Sequence, residues 1–198
     1  GSGKTVFVRK LLKYNQDMIE QPPQKIIWCY GVYQKAYTEM MAEVPHIEFI
    51  EGFPCNFDNV VDPNVRNLIV VDDLMSECTK DATMTTLFTR GSHHRNISVI
   101  FIVQNLFHAG KETRTISLNA QYLVIYKNPR DKSQITHLGR QLYPGQTKYV
   151  QEAYNDATKN PYGYLLIDLK ANTPESHRLR THVFPNEFTT VYVPKSIR

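Results

Sequence analysis

The chain has 198 residues, of which 41% are hydrophobic and 21% charged, a composition that is typical of a globular domain and excludes an intrinsically disordered chain. No apolar run approaches the roughly 20 residues of a membrane span, and no signal-peptide pattern occurs, so we expect an intracellular protein that is neither secreted nor membrane-bound. The net charge of +4 is uneven: residues 1–99 carry −2 and residues 100–198 carry +6. This asymmetry favours a partner with a negatively charged backbone, although a solvated basic face explains it too.

The chain opens with part of a phosphate-binding loop. The complete pattern is G-x-x-x-x-G-K-[ST]; Gly3, Lys4 and Thr5 provide its end, and Gly1 and Ser2 are two of its loop residues. The leading glycine and the strand before it are missing, so the chain is expected to begin inside the motif. A flexible leader or a cloning remnant is the alternative interpretation of these first residues.

A helix is predicted to follow from Lys4 to Ile19, because apolar residues recur at helical spacing. Its N-terminus would direct free N–H groups and the positive end of the helix dipole at a phosphate. Lys4 would then bridge the β- and γ-phosphates of a nucleotide, and the Thr5 hydroxyl would ligate Mg²⁺.

Next come elements of an alternating α/β pattern. They are a buried strand, a helix, a short strand and a loop rich in turn-forming residues: Lys25–Tyr30, Gln34–Ala42, Ile47–Ile50 and Phe53–Pro63. Each predicted strand is followed by a helix or a loop long enough for a crossover. This order predicts a parallel sheet with helices on its faces.

The most informative strand is the apolar run that begins at Asn67 and ends in Asp72 and Asp73. A continuous apolar run is typical of a strand that is buried on both faces of a parallel sheet. Acidic groups at its carboxyl end lie where open α/β sheets bind ligands. We assign Asp72 to the magnesium side of a nucleotide site and Asp73 to the general base that polarises the attacking water. Helix capping or simple exposure to solvent would be the alternative role of both acids.

The middle of the chain adds candidate catalytic residues. A helix is predicted over Asp81–Arg90, then a basic, histidine-rich turn, and then a strand over Ile97–Val103 that ends at Gln104. An amide at the tip of a strand beside the phosphates could hold the attacking water, and Gln104 is our candidate for that role. Arg90 and Arg95 are candidate arginine fingers or DNA contacts, and equally could be ordinary surface arginines.

The last third of the chain is predicted to complete the fold. The predicted elements are the last strand of the main sheet, two helices and the two strands of an added hairpin: Gln121–Tyr126, Lys132–Leu142, Thr147–Ala157, Tyr164–Leu169 and Arg180–Phe184. Residues 1–185 are thus predicted to form one domain, and residues 186–198 a loose C-terminal tail.

The order of these motifs resembles that of the FtsK/HerA superfamily of DNA-pumping ATPases. The similar features are the phosphate loop, the strand that ends in Asp72 and Asp73, the basic turn from Gly91 to Asn96, and the strand that ends in Gln104. The chain looks most like the poxvirus-type genome-packaging ATPases of large DNA viruses and of Maverick/polinton (adintovirus-like) elements. The similarity extends over nearly the whole chain.

The resemblance implies a RecA-like, additional-strand P-loop NTPase with the parallel strand order 5-1-4-3-2, of which this chain lacks the first strand. It implies ATP and Mg²⁺ as cofactors and a homo-oligomeric ring, expected to be a hexamer, that threads double-stranded DNA into a viral capsid in the host cytoplasm or nucleus. Lys4 and Thr5 correspond to the Walker A pair, Asp72 and Asp73 to the Walker B acids, and Gln104 to the sensor. The family often has Asp-Glu where this chain has Asp72-Asp73.

Three alternatives to a packaging motor remain at this stage. A cellular DNA pump or helicase subunit of the same superfamily would carry the same motifs. A non-catalytic remnant of an integrated element, or a scaffold that binds ATP without hydrolysing it, would keep the fold without turnover. A P-loop kinase or small-molecule ATPase would instead need a lid and a substrate pocket.

Overall fold

The computed structural model describes residues 3–54, 57–74, 96–104 and 116–195 of the chain. Within these residues the chain divides into two compact units. The parallel-sheet unit comprises described residues between 5 and 119, and the antiparallel-sheet unit comprises residues 120–195 together with Gly3 and Lys4.

The parallel-sheet unit is built on four strands. Its elements in chain order are α1 (Lys4–Lys13, whose first residue belongs to the other unit), α2 (Asn15–Met18), β1 (Lys25–Tyr30), α3 (Ala36–Glu43), β2 (Ile47–Glu51), a 3₁₀ turn (Phe57–Asn59), β3 (Asn67–Asp72) and β4 (Ile97–Ile102). The strands lie in the order β2-β1-β3-β4, and every neighbouring pair is parallel. The predicted α/β class with a parallel sheet is therefore confirmed.

Strand β3 is the centre of this unit, since all six of its residues are buried. Its apolar side chains alternate between the two faces of the sheet. One face packs a cluster that includes Ile69 and Val71 together with Phe57. The apolar run of β1 is buried as well, and Trp28 on this strand is completely inaccessible to solvent. The core therefore fixes the ends of β1 and β3 at one edge of the sheet.

The helix predicted over Lys4–Ile19 is interrupted. Tyr14 separates α1 from the four-residue α2, and Phe7, Val8 and Leu12 are the buried side chains of α1. The helical face was thus predicted correctly over its first three turns, but the helix ends earlier than its apolar spacing indicates.

The antiparallel-sheet unit contains β5 (Tyr122–Tyr126), α4 (Ser133–Leu142), α5 (Thr147–Ala157), β6 (Tyr164–Asp168), a 3₁₀ turn (Glu175–His177), β7 (Leu179–Thr181) and β8 (Thr190–Tyr192). The strand order is β5-β6-β7-β8, and all three pairs are antiparallel. The predicted pairing of the strand at 164 with the strand at 180 is present in this sheet as β6 with β7.

Two predictions about this part of the chain are wrong. The strand predicted over Gln121–Tyr126 as the last one of the main sheet pairs with β6 in the second sheet instead. Its partial exposure suits an antiparallel sheet, whereas a central parallel strand is buried throughout. The predicted tail of residues 186–198 contains β8, whose β-branched and aromatic residues suit a strand and pair with β7.

The predicted strand order 5-1-4-3-2 is observed in part. The strand of Gln104 lies next to that of Asp72, which lies next to β1, as in the 4-3-2 portion of that order. The strand of residues 122–126, predicted as the last one of the main sheet, belongs to the other sheet. Among the described residues, no helix is long and apolar enough to cross a membrane.

Candidate functional site

The candidate site lies at the carboxyl edge of the parallel sheet. Tyr30, Asp72 and Ile102 are in register across β1, β3 and β4, so these three strands end together. Parallel strands that end side by side place the loops that follow them around one crevice, which is the usual ligand site of an open α/β sheet.

Thr5 and Asp72 meet at this edge. Thr5 is the second residue of α1, and its Oγ1 atom donates a hydrogen bond of 3.5 Å to Oδ2 of Asp72. Asp72 is buried, with only 4% of its surface exposed to solvent. The structure therefore brings together a hydroxyl of the helix start and a buried carboxylate of the central strand, as their predicted places in a nucleotide site require.

Asp73 and Gln104 form a second pair at the same edge. The Gln104 amide nitrogen Nε2 donates a hydrogen bond of 3.0 Å to Oδ1 of Asp73. The backbone of Asp73 has a φ of +55°, in the left-handed region that aspartate adopts more readily than most residues. This conformation turns the chain immediately after β3, and the exposed Asp73 carboxylate reaches the amide that follows the neighbouring strand.

Tyr37 provides a second hydroxyl at the site, and the sequence analysis did not select it. Its OH group donates a hydrogen bond of 3.4 Å to Oδ2 of Asp72, the same oxygen atom that accepts from Thr5. Burial raises the pKa of the Tyr37 hydroxyl well above its usual value, and the negative charge of Asp72 raises it further. Tyr37 is therefore a neutral donor at any physiological pH.

The Tyr37 ring is packed inside an aromatic cluster. It stacks on Phe49 at a centroid distance of 4.8 Å and contacts the rings of Trp28, Tyr30 and Tyr33 at 5.2 to 5.8 Å. The buried Trp28 indole N–H has no hydrogen-bond partner within the described part of the chain. Such packing leaves the ring little freedom, so the hydroxyl is held towards Asp72.

An ion-pair clamp joins the helices that carry the two hydroxyls. Arg9 of α1 binds Glu39 of α3 through Nη1 at 2.8 Å, and Glu43 through Nη2 at 2.9 Å and Nε at 3.1 Å. Arg9 lies one helical turn beyond Thr5, on the same face of α1. The clamp therefore stabilises the alignment of α1 with α3 beside the carboxylate of Asp72.

The donor set of the site consists of oxygen atoms. Magnesium prefers such hard ligands and is commonly bound by one or two protein oxygens together with waters and the phosphates of a substrate. Over the residues that the structure describes, no group of three or more His, Cys, Asp or Glu side chains could hold a metal ion by itself. Thr5 and Asp72 fit a metal that arrives with a phosphate ligand.

The remaining candidates have different outcomes. Lys4 is the first residue of α1, which has no acidic side chain in its first turn, so nothing acidic in that turn competes with an anion at the helix start. Gly3 has a φ of +94°, which only glycine adopts easily. Four candidates lie outside the described residues: Gly1, Ser2, Arg90 and Arg95.

Tyr37 could have been found from the sequence by topology. Its helix follows β1, and a helix that follows a parallel strand begins at the carboxyl edge of the sheet, where Asp72 lies. The sequence pattern instead predicts a polar helix over residues 34–42, although the Tyr37 ring is buried in the core. A pattern of hydrophobic and polar residues does not show that the hydroxyl of a buried tyrosine needs a hydrogen-bond partner.

Fold and site together define an α/β protein with a cluster of polar, oxygen-bearing side chains at the carboxyl edge of a parallel sheet. In comparisons with family models, with curated proteins and with solved structures, no significant match to this chain is found. Its function is therefore inferred from the residues themselves.

Proposed function

We propose that this chain is the motor domain of a RecA-like P-loop ATPase that translocates double-stranded DNA, and that it packages a viral or virus-like genome into a capsid. The observation that carries the proposal is the pairing at the sheet edge: Thr5 with Asp72 at 3.5 Å, and Gln104 with Asp73 at 3.0 Å. These are two pairs that a nucleotide triphosphatase needs side by side, one for the metal and one for the attacking water.

ATP would bind with its phosphates at the start of α1. Gly3, Lys4 and Thr5 would hold them through backbone N–H groups and the Lys4 ammonium group. Thr5 and Asp72 would hold Mg²⁺, which supplies charge neutralisation at the phosphates when it is bound. The parallel sheet supports this assignment, because the strand order around Asp72 agrees with the 4-3-2 portion of the RecA-like order.

Asp73 would act as the proton acceptor for the attacking water. Its exposed carboxylate is hydrogen-bonded to Gln104, whose amide can orient a water molecule on the same side of the crevice. The pair resembles other active sites in which a base is oriented by a second polar side chain. The oligomeric ring, the capsid and the DNA are supported by the resemblance to the FtsK/HerA ATPases and by the basic second half of the sequence.

Hydrolysis of ATP with and without double-stranded DNA tests the proposal, with Lys4→Ala as the matched inactive variant. We expect DNA to stimulate turnover and Lys4→Ala to abolish it, because the ammonium group stabilises charge on the transferred phosphoryl group. Turnover that is indifferent to DNA would instead indicate a small-molecule ATPase. Binding of ATP without any turnover would indicate a non-catalytic scaffold or remnant.

A further inference from the structure

The start of α3 contributes to the candidate nucleotide site beside α1, to which ion pairs of Arg9 join it. Strand β1 ends at Tyr30, in register with Asp72, and α3 begins six residues later at Ala36. Tyr37 is therefore in the first turn of a helix that starts at the same sheet edge as the acidic pair. Tyr37 is only 1% exposed, and the hydroxyl at the end of its side chain is the group that reaches Asp72.

Two hydroxyls from two helices converge on one carboxylate oxygen. Thr5 and Tyr37 each donate to Oδ2 of Asp72, at 3.5 and 3.4 Å. Both distances exceed the 2.7–2.8 Å that is usual for O–H···O bonds. Contacts of this kind are often long without substrate and shorten in the complex, when the groups close around the reacting atoms.

The surroundings of Tyr37 fix its position independently of this hydrogen bond. The aromatic cluster holds the ring on three sides, with Phe49, Trp28 and Tyr33 as neighbours. The Arg9 clamp ties α3 to α1 by ion pairs of 2.8 and 2.9 Å. A donor on such a rigid support can orient a carboxylate, since it does not itself need to be ordered when the ligand binds.

We propose that Tyr37 is a positioning residue for the metal side of the nucleotide site, whose hydroxyl holds the Asp72 carboxylate in the orientation that, together with Thr5, takes up Mg²⁺ with ATP. The inference rests on the proposed function. A bond to Oδ2 restricts the rotation of the Asp72 carboxylate. A residue that hydrogen-bonds a metal ligand without touching the metal orients that ligand and changes the affinity of the site for the metal.

The variant Tyr37→Phe separates this role from packing, because it keeps the aromatic ring and removes the hydroxyl alone. Binding of ATP is titrated at fixed ATP against Mg²⁺, and again in EDTA without Mg²⁺. Trp28 provides a label-free signal, since it is the single tryptophan of the chain and its ring lies 5.8 Å from that of Tyr37. We expect the apparent affinity for Mg²⁺ to fall by about 10-fold, the lower end of the effect of losing such a partner, while Mg²⁺-free binding of ATP is unchanged.

Tyr33→Phe is the matched control. Tyr33 lies in the same aromatic cluster, and its hydroxyl bonds Oγ1 of Thr38 at 2.7 Å rather than Asp72. This variant should leave the Mg²⁺ titration as in the wild type. A double-mutant cycle adds a second readout: in an Asp72→Asn background, Tyr37→Phe should have no further effect on Mg²⁺ binding, since its target is no longer a carboxylate.

The outcomes are distinct. A Tyr37→Phe protein that titrates with Mg²⁺ like the wild type overturns the inference, and so does an equal loss of ATP binding with and without Mg²⁺, which would indicate a packing role. An undiminished effect of Tyr37→Phe in the Asp72→Asn background overturns it as well. Failure of the wild type itself to bind ATP with Mg²⁺ would overturn the proposed function, and this inference with it.

Discussion

Asp73 shows how the backbone selects a residue at the candidate site. Its φ of +55° lies in the left-handed region, where Asp and Asn are several-fold enriched among non-glycine residues. The FtsK/HerA resemblance leads one to expect glutamate here, which has no such preference. The shorter aspartate therefore agrees with the turn that follows β3, and its carboxylate still reaches Gln104 at 3.0 Å.

Asp73→Asn is expected to abolish most of the hydrolysis while ATP still binds. Asparagine tolerates the same backbone conformation and can accept the same hydrogen bond, but it cannot take a proton from water. Turnover should fall by about 10²–10⁴-fold, the usual contribution of a general base, as measured under saturating ATP.

Glu51→Gln is the control for this prediction. Glu51 is the exposed last residue of β2, at the same edge of the sheet, so its substitution removes one negative charge there without touching Gln104. It should leave turnover within twofold of the wild type, on the order of a typical surface substitution. Equal losses in both variants would show that charge at the edge, and not Asp73, governs the reaction.

At the scale of whole elements, sequence patterns predicted the parallel-sheet unit well. Strands β1 and β3 consist of long apolar runs, and such runs have few alternatives to a buried strand. The assignment of Thr5 and Asp72 to one metal predicted that they lie close together, and the strand order implied by the FtsK/HerA resemblance predicted that Gln104 lies near Asp73. The roles of these residues stay predictions until hydrolysis is measured.

The errors arose where a short pattern fits two structures. A five-residue strand such as β5 looks the same in a parallel and an antiparallel sheet, and only its partner β6, about 40 residues later, decides between them. Strand β8 has three residues, too few for a visible alternation. Tyr37 was missed because its helix was predicted as a polar one, whereas the ring is buried and the hydroxyl bonds Asp72.

The Arg9 clamp gives a prediction about pH. Hydrogen bonds and charge from Arg9 hold the pKa of Glu43 below its usual value of 4.5. A carboxylate with a lowered pKa in the folded protein stabilises it above its unfolded-state pKa, and this contribution is lost as the pH falls through the folded value. Arg9→Met should therefore lower Tm at pH 7, and the difference from the wild type should shrink as the pH falls below 4.5 and through the lowered pKa of Glu43.

Lys148→Met is the comparison for that measurement. Lys148 is highly exposed and lies 3.8 Å from Glu152, a loose pair on one helix that contributes little. Its Tm should match the wild type at both ends of the pH range. A Tm for Arg9→Met equal to that of the wild type at pH 7 would mean that α1 and α3 are aligned by packing alone.

At the scale of the molecule, the positive charge is concentrated in the antiparallel-sheet unit. Several of its cations bind carboxylates, with Arg180 bound to the buried Asp168 at 2.6 Å and Lys159 to Asp156 at 2.9 Å. The loop between β5 and α4 differs from these, because Lys127, Arg130 and Lys132 are all exposed there within six residues.

The acid of that loop, Asp131, is engaged with the start of α4. Its Oδ1 atom accepts from the backbone N–H and the hydroxyl of Ser133, and its Oδ2 atom accepts from Gln134. These bonds, led by that of Ser133, lower the pKa of Asp131 below its usual value. The loop thus has three exposed cations and one acid that is occupied in local hydrogen bonds, and we predict that it contacts the DNA of the proposed function.

Replacing both Lys127 and Lys132 by alanine should therefore weaken binding of double-stranded DNA, to a similar extent for unrelated sequences, since phosphate contacts carry no sequence information. Each lost phosphate contact removes about 0.9 from the slope of log affinity against log salt, so the slope should fall by nearly 2. Titrations of labelled duplexes at several salt concentrations measure both quantities.

The control is a variant with Lys148 and Lys159 both replaced by alanine. It removes the same charge from α5 and the residues after it, where both side chains face carboxylates. Similar slopes for the two variants would show that DNA responds to the overall charge of the unit and not to the loop before α4.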